Sequence, residues 1–268
     1  MNGVSTLLGH LWRRHRVPLV LLTVAHGFFQ WAITRVVPTA GQTGFVREIL
    51  NMAPPSVRVF VGEELLANLT AQGFLGFGYV HPFPLLLLAV WAIRVAAGAL
   101  AGEVGKGTMD LIAARPVSRS SQVAAAAMAV AAGLTLIAGG GWVGTAVGLH
   151  SRALEGVTAT DLLPVAAMSL LLFASAGGVS LLVSALRREG GGAVSWCAGL
   201  LAGFYVLDYL ARVWSTIAFL RPLSLFRYYE PQRILREGGI ATMDVAVLAS
   251  VGLVTLVTAF AVFARRDL

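Results

Sequence analysis

The segment Gly102–Arg119, GEVGKGTMDLIAARPVSR, contains a Gly-Lys-Gly-Thr run that could be taken for a phosphate-binding loop. Such a loop has the pattern G-x-x-x-x-G-K-[ST]: its glycines free backbone N–H groups, the lysine contacts the phosphates and the hydroxyl binds Mg²⁺. Here Gly107 follows Lys106, Leu100 stands at the first glycine position, and an apolar helical run replaces the expected strand. We therefore expect no nucleotide site in this segment.

The other reactive side chains form no second catalytic or metal-binding pattern. The single cysteine, Cys197, lies in an apolar run, which excludes a disulfide framework and a cysteine-based metal site. The five histidines lack the spacing of ligands on one helix face; they stand at positions 10, 15, 26, 81 and 150. Glu63-Glu64 begins an E-E-x-x-x-R protease pattern, but Asn68 stands at the arginine position, and neither H-E-x-x-H nor G-x-S-x-G occurs. We expect no catalytic residue and no bound metal.

The composition is that of an integral membrane protein. Hydrophobic residues make up 57% of the chain and charged residues 12%, whereas about 25% of residues are charged in a typical soluble domain. The apolar residues come in runs about as long as the ~20 residues that a helix needs to cross a bilayer. The sequence therefore predicts an all-α membrane protein.

Six apolar runs predict six transmembrane helices in one domain, over residues 17–35, 83–101, 123–149, 162–186, 193–220 and 245–263. Several prolines fall in first turns, where a missing N–H leaves no helical hydrogen bond unmade; they are Pro18, Pro82, Pro84 and Pro164. Residues 102–119 link the second and third spans. The loops 36–82 and 221–244 are predicted to lie on the opposite side of the membrane from residues 102–119. We expect the first of these loops to fold back as one or two short helices.

The N-terminal segment has an amphipathic pattern. Its apolar residues recur with helical spacing at Val4, Leu7, Leu8, Leu11 and Trp12, and the basic stretch Arg13–Arg16 follows them. This pattern predicts a helix over residues 1–16 that lies in the membrane interface. An unstructured leader is the alternative. A cleaved signal peptide is less favoured, because His26, Gln30 and Trp31 interrupt the apolar core.

The basic residues predict the orientation of the spans. Ten lie in the segments on the side of the N-terminus, and eight lie in the longer segments on the other side. Three arginines precede the first span and only Arg35 stands at its far end. Because positive residues favour the cytoplasmic side, both termini are predicted to be cytoplasmic.

Small residues recur at four-residue spacing in two spans. Gly140, Gly144 and Gly148 lie in the third span, and Gly199 and Gly203 in the fifth. In lipid, helices associate through close backbone approach at such residues. The pattern predicts tight helix packing, either within the chain or with a second copy.

Gly102–Arg119 has the pattern of a docking element between two spans. Thr108 can cap a short helix over residues 109–114, Arg115-Pro116 disfavours its continuation, and Ser118 can cap the third span. A solvated turn would carry polar residues where the apolar side chains stand, at Met109, Leu111 and Ile112. These can act as anchors in a partner's pocket, while charged neighbours fix the register: Glu103, Lys106, Asp110 and Arg115.

The same segment resembles a family motif. Glu103, Gly107-Thr108, Asp110-Leu111 and Arg115-Pro116-Val117-Ser118-Arg119 resemble the pattern E…GT-x-[DE]-L-L-x-x-PVSR of the membrane subunits of type-2 ABC exporters. The stretch LSLFRYYEPQRIL is similar to that family's SPF-x-YY-x-P segment, with Phe226, Tyr228, Tyr229 and Pro231 at the matching positions. The C-terminal FARRDL is similar to its usual ending.

The resemblance implies a permease subunit in a bacterial plasma membrane. Residues 102–119 would then form a coupling helix in a groove of a separate ATPase subunit, which would hold ATP and Mg²⁺, while this chain binds no cofactor. A second copy or a homologous permease would complete the exporter. An ion-driven carrier and a membrane enzyme are the alternatives. A carrier would favour acidic residues near the bilayer midplane, and Asp208 is the only acid within a predicted span.

Three charged residues lie in the interior of predicted spans. Arg94 is in the second, and Asp208 and Arg212 stand four residues apart in the fifth. They can line a transport path, or Asp208 and Arg212 can pair on one helix face, and Arg94 can reach the inner interface. A substrate path lined mostly by apolar residues would suit a hydrophobic or amphipathic molecule, although no residue selects a substrate.

Overall fold

The computed structural model of the chain describes residues 3–37, 48, 52–54, 70–105 and 118–265. Every regular element in these residues is a helix. Six helical stretches are long and apolar enough to cross a membrane: Gly3–Val36, Ala71–Ala99, Arg119–Ser151, Ala159–Leu186, Gly190–Val213 and Thr242–Ala264. This confirms the predicted all-α architecture with six candidate membrane spans.

The α-helices of the described residues are, in chain order, α1 (Gly3–Val36), α2 (Ala71–Val80), α3 (Pro82–Ala99), α4 (Ala101–Gly105), α5 (Arg119–Ser151), α6 (Leu163–Leu186), α7 (Gly190–Val213), α8 (Pro231–Glu237) and α9 (Thr242–Ala264). Three 3₁₀ helices accompany them, Ala159–Leu162, Ser215–Leu223 and Leu225–Tyr228. Only His81 separates α2 from α3, so these two helices together make the second apolar stretch.

Local sequence explains where several helices begin. The Ser118 side chain accepts a hydrogen bond from the Ser121 N–H and caps α5 as predicted. Thr70 caps α2 in the same way through the Gly73 N–H, at 3.1 Å. Proline stands in the first turn of α3, α6 and α8, where its fixed φ suits the helix.

α1 differs from the predicted pair of elements, an interfacial helix over residues 1–16 and a separate first span. Gly3–Val36 form one continuous helix, with Pro18 inside it. A proline inside a helix removes one hydrogen bond. The buried side chains nevertheless continue past the proline, at Leu11, His15, Leu19, His26, Gln30 and Thr34. Burial on both sides of Pro18 explains why the helix is not divided there.

Other helix ends also differ from the predicted bounds. The fifth span was predicted to reach residue 220, but α7 ends at Val213 and the 3₁₀ helix Ser215–Leu223 follows. The reason is tertiary, because Arg221 turns back to pair with Asp208. The second span ends two residues early, at Ala99, and the third begins at Arg119 rather than 123. The end of the predicted first outer loop forms α2, with Leu75 and Tyr79 buried.

The spans form an inner and an outer set. In the most apolar 18-residue stretch of each span, 61%, 50% and 67% of the residues are buried within the chain for the spans built on α3, α5 and α6. The corresponding shares for α1, α7 and α9 are 22%, 22% and 11%. The peripheral helices therefore offer the largest surfaces to lipid or to another chain.

The glycines of α5 form a close interface with α1. A Cβ on Gly140 would lie 2.5 Å from Thr23 Cγ2, one on Gly27 would lie 2.9 Å from the Gly140 carbonyl oxygen, and one on Gly144 would overlap the Gly27 carbonyl oxygen. The tight packing predicted for the third span is thus made within the chain. A Cβ on Gly199 or Gly203 of α7 would meet nothing within 4 Å.

The α1–α5 interface predicts a large difference between two neighbouring glycine substitutions. Gly144→Ala should lower the free energy of unfolding by roughly 1–3 kcal/mol, because its methyl group meets backbone rather than a movable side chain. Gly139→Ala, in the same helix, should be neutral or slightly stabilising, because its Cβ would meet nothing within 4 Å. Thermal unfolding in detergent, followed by circular dichroism, measures both. Equal effects would contradict this interface.

Candidate functional sites at the two ends of the bundle

Positive charge is concentrated at one end of the helix bundle, formed by the starts of α1, α5 and α7, the ends of α3, α6 and α9, and α4. We call it the basic end. Its described charged residues include eight arginines (13, 14, 16, 94, 119, 187, 188 and 265) but only two carboxylates (103 and 189). The helices and loops at the opposite end carry seven arginines (35, 152, 212, 221, 227, 233 and 236) and seven described carboxylates (48, 155, 161, 208, 230, 237 and 244). The basic end therefore has a net excess of six positive charges, and the opposite set has none.

α4 begins the segment predicted to dock a partner, and its first residue is held by α6. The chain leaves α3 at Leu100, and the Ala101 N–H donates to Ser184 Oγ at 3.0 Å. The Ser184 hydroxyl in turn donates to the Ala97 carbonyl oxygen at 3.4 Å. Ser184 therefore satisfies a backbone group at the break between the two helices.

α4 also contacts the start of α7, backbone against backbone. A Cβ on Gly190 would lie 2.9 Å from Gly102 Cα, and one on Gly105 would lie 3.2 Å from the Arg188 carbonyl oxygen. Beside this contact, three alanines with no exposed surface form a small apolar cluster: Ala97, Ala101 and Ala193. Because almost no side chain separates the backbones of α4 and α7, a displacement of α4 also displaces the start of α7.

One ion pair attaches α4 to α1, and one hydrogen bond links α5 to α9 at the same end. Arg14 Nη1 of α1 donates to Glu103 Oε1 of α4 at 2.6 Å. Arg119 Nη1, at the start of α5, donates to the Ala264 carbonyl oxygen of α9 at 3.4 Å. A pair as exposed as Arg14–Glu103 contributes about 1 kcal/mol or less to stability. Its effect is to fix where α4 lies relative to α1.

Most of the predicted docking element lies outside the described residues: Lys106, Gly107, Thr108, Met109, Asp110, Leu111, Ile112, Arg115 and Pro116. The short helix over residues 109–114 therefore stays a prediction. The two residues that flank this stretch, Gly105 and Ser118, are both at the basic end. The described residues therefore show where the segment leaves the bundle and where it returns to it.

At the opposite end, Asp208 is bound by two arginines. Arg212 Nη2 lies 2.8 Å from Asp208 Oδ2, which is the predicted pair at four-residue spacing. Arg221 Nε lies 2.9 Å from Asp208 Oδ1, and Arg221 Nη2 lies 2.6 Å from Glu230 Oε1. Sequence reasoning missed Arg221, because only the reversal of the chain after α7 brings it back to Asp208.

The network continues to α9. Arg227 and Arg233 contact Glu230 at 3.1 and 3.5 Å, and Arg233 also pairs with Asp244. Partial burial lowers the pKa of Arg221, but the hydrogen bonds and charges of Asp208 and Glu230 outweigh burial and raise it. Four arginines and three carboxylates thus join α7, the 3₁₀ helix Ser215–Leu223, α8 and α9.

The network predicts an effect on stability for Arg221→Gln. The substitution leaves Asp208 and Glu230 each short of one cationic partner, with the Asp208 side chain only 10% exposed. Removing one partner of a fully buried pair costs 3–5 kcal/mol, and the partial exposure of Arg221 reduces this to roughly 2 kcal/mol. Arg188→Gln, at an exposed arginine with no ion pair among the described residues, should cost less than about 0.5 kcal/mol. Equal thermal unfolding of the two variants would contradict the network's role.

The aromatic residues of the predicted outer-loop motif pack into the same end. Phe226 lies edge-on to Tyr205 at 5.3 Å and to Phe173 at 6.4 Å between ring centroids. The Tyr229 hydroxyl donates to the Tyr79 carbonyl oxygen at 3.2 Å, and burial holds the Tyr229 pKa well above its usual range. The remaining motif residues also have structural positions: Tyr228 donates to the Pro222 carbonyl oxygen at 2.8 Å, and Pro231 is buried in the first turn of α8.

A buried polar layer lies between α1, α2 and α5. His26 Nδ1 is 2.9 Å from the Ile137 carbonyl oxygen, and the Tyr79 hydroxyl is 3.1 Å from Thr145 Oγ1. Such bonds satisfy polar groups that lipid cannot solvate.

In the six described spans the carboxylates are Asp161, Asp208 and Asp244. Asp161 caps a 3₁₀ helix, and the other two pair with arginine. No group of three potential metal ligands occurs among the described residues.

One face of α7 forms an open apolar groove. Its volume is about 520 Å³, and it is lined by residues of α7 alone: Ser195, Trp196, Gly199, Leu200, Gly203, Phe204 and Leu207. The missing side chains of Gly199 and Gly203 produce the concavity between the larger residues.

Compared with models of known protein families and with curated protein sequences, the chain has no significant match to either.

Proposed function

We propose that the chain is the permease subunit of an ATP-driven exporter of the type-2 ABC class, coupled to a separate soluble ATPase subunit through residues 102–119. The observation that carries this proposal is the attachment of α4. The helix at the start of the segment that resembles the coupling motif contacts α7 backbone to backbone and α1 through Arg14–Glu103. A partner that displaces this segment would therefore move two spans.

The charge distribution supports a cytoplasmic position for the basic end. Cytoplasmic segments of membrane proteins carry the excess of arginine and lysine, and eight arginines against two carboxylates lie at this end. The predicted docking segment leaves the bundle at this end, where a soluble ATPase has access. We accordingly propose that both termini are cytoplasmic, in the plasma membrane of a bacterium.

The residues of this segment indicate which of the two subunits would bind ATP. Its Gly-Lys-Gly-Thr run lacks the features of a phosphate-binding loop. ATP and Mg²⁺ would be held by the partner subunit, and this chain would supply no catalytic group. Met109, Leu111 and Ile112 would fill the partner's pocket, with Asp110 and Arg115 setting the register through ion pairs.

We further propose that two permease chains form the substrate path together. α7 supports this, because only 22% of its most apolar 18-residue stretch is buried within the chain. In addition, Gly199 and Gly203 leave a groove on its exposed face. Close approach at small residues is how helices associate in lipid. A path lined by such apolar faces would suit a hydrophobic or amphipathic substrate.

Photo-crosslinking from position 111 tests the proposal. A photoreactive amino acid in place of Leu111 should crosslink to a soluble ATPase subunit in cells, identified by mass spectrometry. The matched control is the same amino acid at Met128, which is 50% exposed on α5 and should crosslink to no ATPase. Crosslinking to lipid alone from both positions would contradict the proposal.

A further inference from the structure

Arg94 is a charged residue on the exposed surface of a membrane-spanning helix. It continues an exposed apolar row on α3, after Leu86 and Val90, which are 59% and 39% exposed. Positions four residues apart share one helix face, so this row presents two apolar side chains and then a guanidinium. Among the described residues Arg94 has no hydrogen bond and no ion pair. A charge within a span costs about 2.5–3.5 kcal/mol on insertion scales, which a counter-ion offsets.

The surroundings of Arg94 are basic. One helical turn away, Trp91 packs edge-on against His15 of α1, with 6.1 Å between ring centroids. The charged groups that act on the His15 ring are Arg14, Arg94 and His10. Glu103 neutralises Arg14 at 2.6 Å, and no described carboxylate does the same for Arg94. His15 is 5% exposed, and its Nδ1 has no hydrogen-bond partner in the described structure.

We propose that Arg94 binds the phosphate of an anionic membrane lipid in the leaflet at the basic end of the bundle. The guanidinium offers a planar pair of donors that matches a phosphate group. Arg94 stands five residues before the end of α3 at Ala99, so a long side chain extended toward the basic end brings its charged head toward the level of the lipid phosphates. The excess of arginine over carboxylates at the basic end favours a lipid with a net negative charge over a zwitterionic one.

A lipid fits this surface better than a carboxylate of a second protein chain. The row that Arg94 ends is apolar and exposed, as expected for a helix face in contact with acyl chains. The exposed glycines that favour helix association lie on α7 instead. This inference does not rest on the proposed coupling to an ATPase, because it concerns only the bundle and its lipids.

Lipid retention by the purified full-length chain tests the proposal. The chain is equilibrated with mixed micelles of equal phosphatidylglycerol and phosphatidylcholine, and the lipids that remain bound are counted by native mass spectrometry. We expect preferential retention of phosphatidylglycerol and a loss of this preference of about tenfold in Arg94→Gln. Arg94→Lys should keep part of it, which separates loss of charge from misfolding. Arg265→Gln, at another exposed arginine of the basic end, should stay within about twofold of the native chain.

Three outcomes would overturn the proposal. Equal retention of the two lipids by the native chain would remove the selectivity on which it depends. Displacement of phosphatidylglycerol by added inorganic phosphate would show a site for free phosphate instead. Crosslinking between two copies of the chain from position 94 would show that a second chain covers Arg94.

Discussion

Gly190→Val is expected to stop ATP-driven movement of the spans while the ATPase subunit stays bound. A Cβ at Gly190 would lie 2.9 Å from Gly102 Cα, so that a valine must push α4 and α7 apart. The obstacle is backbone, which cannot turn aside as a flexible side chain would. Because this contact is the closest link between the proposed coupling segment and α7, its loss should uncouple the two.

The movement can be measured without knowing the substrate. Spin labels on cysteines that replace Val36 and Trp214, in a chain with Cys197→Ser, report the distance between the end of α1 and the residue after α7 at the opposite end. Both positions are exposed, at 65% and 57%. In the complex with its ATPase, the native distance distribution should shift when ATP is added, and the Gly190→Val distribution should not.

Gly191→Val is the matched control, since a Cβ on Gly191 would meet nothing within 4 Å. It lies in the same turn of α7 and should leave the ATP-dependent shift intact. If the shift survives in Gly190→Val, or is lost equally in both variants, the contact between α4 and α7 does not transmit the movement.

The double substitution Asp110→Arg with Leu111→Arg is expected to release the ATPase subunit. It reverses one charge and places a guanidinium where the docking segment should bury an apolar anchor. Interface anchors typically contribute about 2 kcal/mol or more each, so the two together should weaken binding by roughly a hundredfold or more. Surface immobilisation of the detergent-purified chain and titration with the ATPase measures the change.

A control for this substitution makes the same change in net charge, three positive units, elsewhere in the chain. Glu155→Arg with Gly239→Arg changes exposed residues of the opposite end and should leave the affinity within about twofold. Equal weakening by both double variants would mean that the added charge, and not the docking segment, determines binding.

The spans were predictable from sequence because crossing a bilayer imposes a length and an apolar composition that local sequence reports directly. The cap at Ser118 was predictable for the same reason, since a cap depends on neighbouring residues. The unbroken α1 and the early end of α7 were not. Burial of Leu11, His15 and Leu19 continues α1 past Pro18, and the Arg221–Asp208 pair draws the chain back after Val213.

The candidate sites show the same division. The Asp208–Arg212 pair follows from four-residue spacing, whereas Arg14 and Glu103 are 89 residues apart and share no local pattern. The contact of Gly190 with Gly102 had one sequence signal, the run Gly190–Gly192 at the start of a span. The glycine run alone does not show which element packs against it, because this depends on where α4 packs in the bundle.

The composition of the native complex tests the central claim most directly. The tagged chain is purified in mild detergent from its own host, and the co-purifying proteins are quantified by mass spectrometry. The proposed coupling predicts a soluble ATPase in near-equal amount, lost from the Asp110→Arg, Leu111→Arg variant. A chain that purifies without an ATPase, or that keeps its ATPase in that variant, would contradict the assignment of residues 102–119 as the coupling segment.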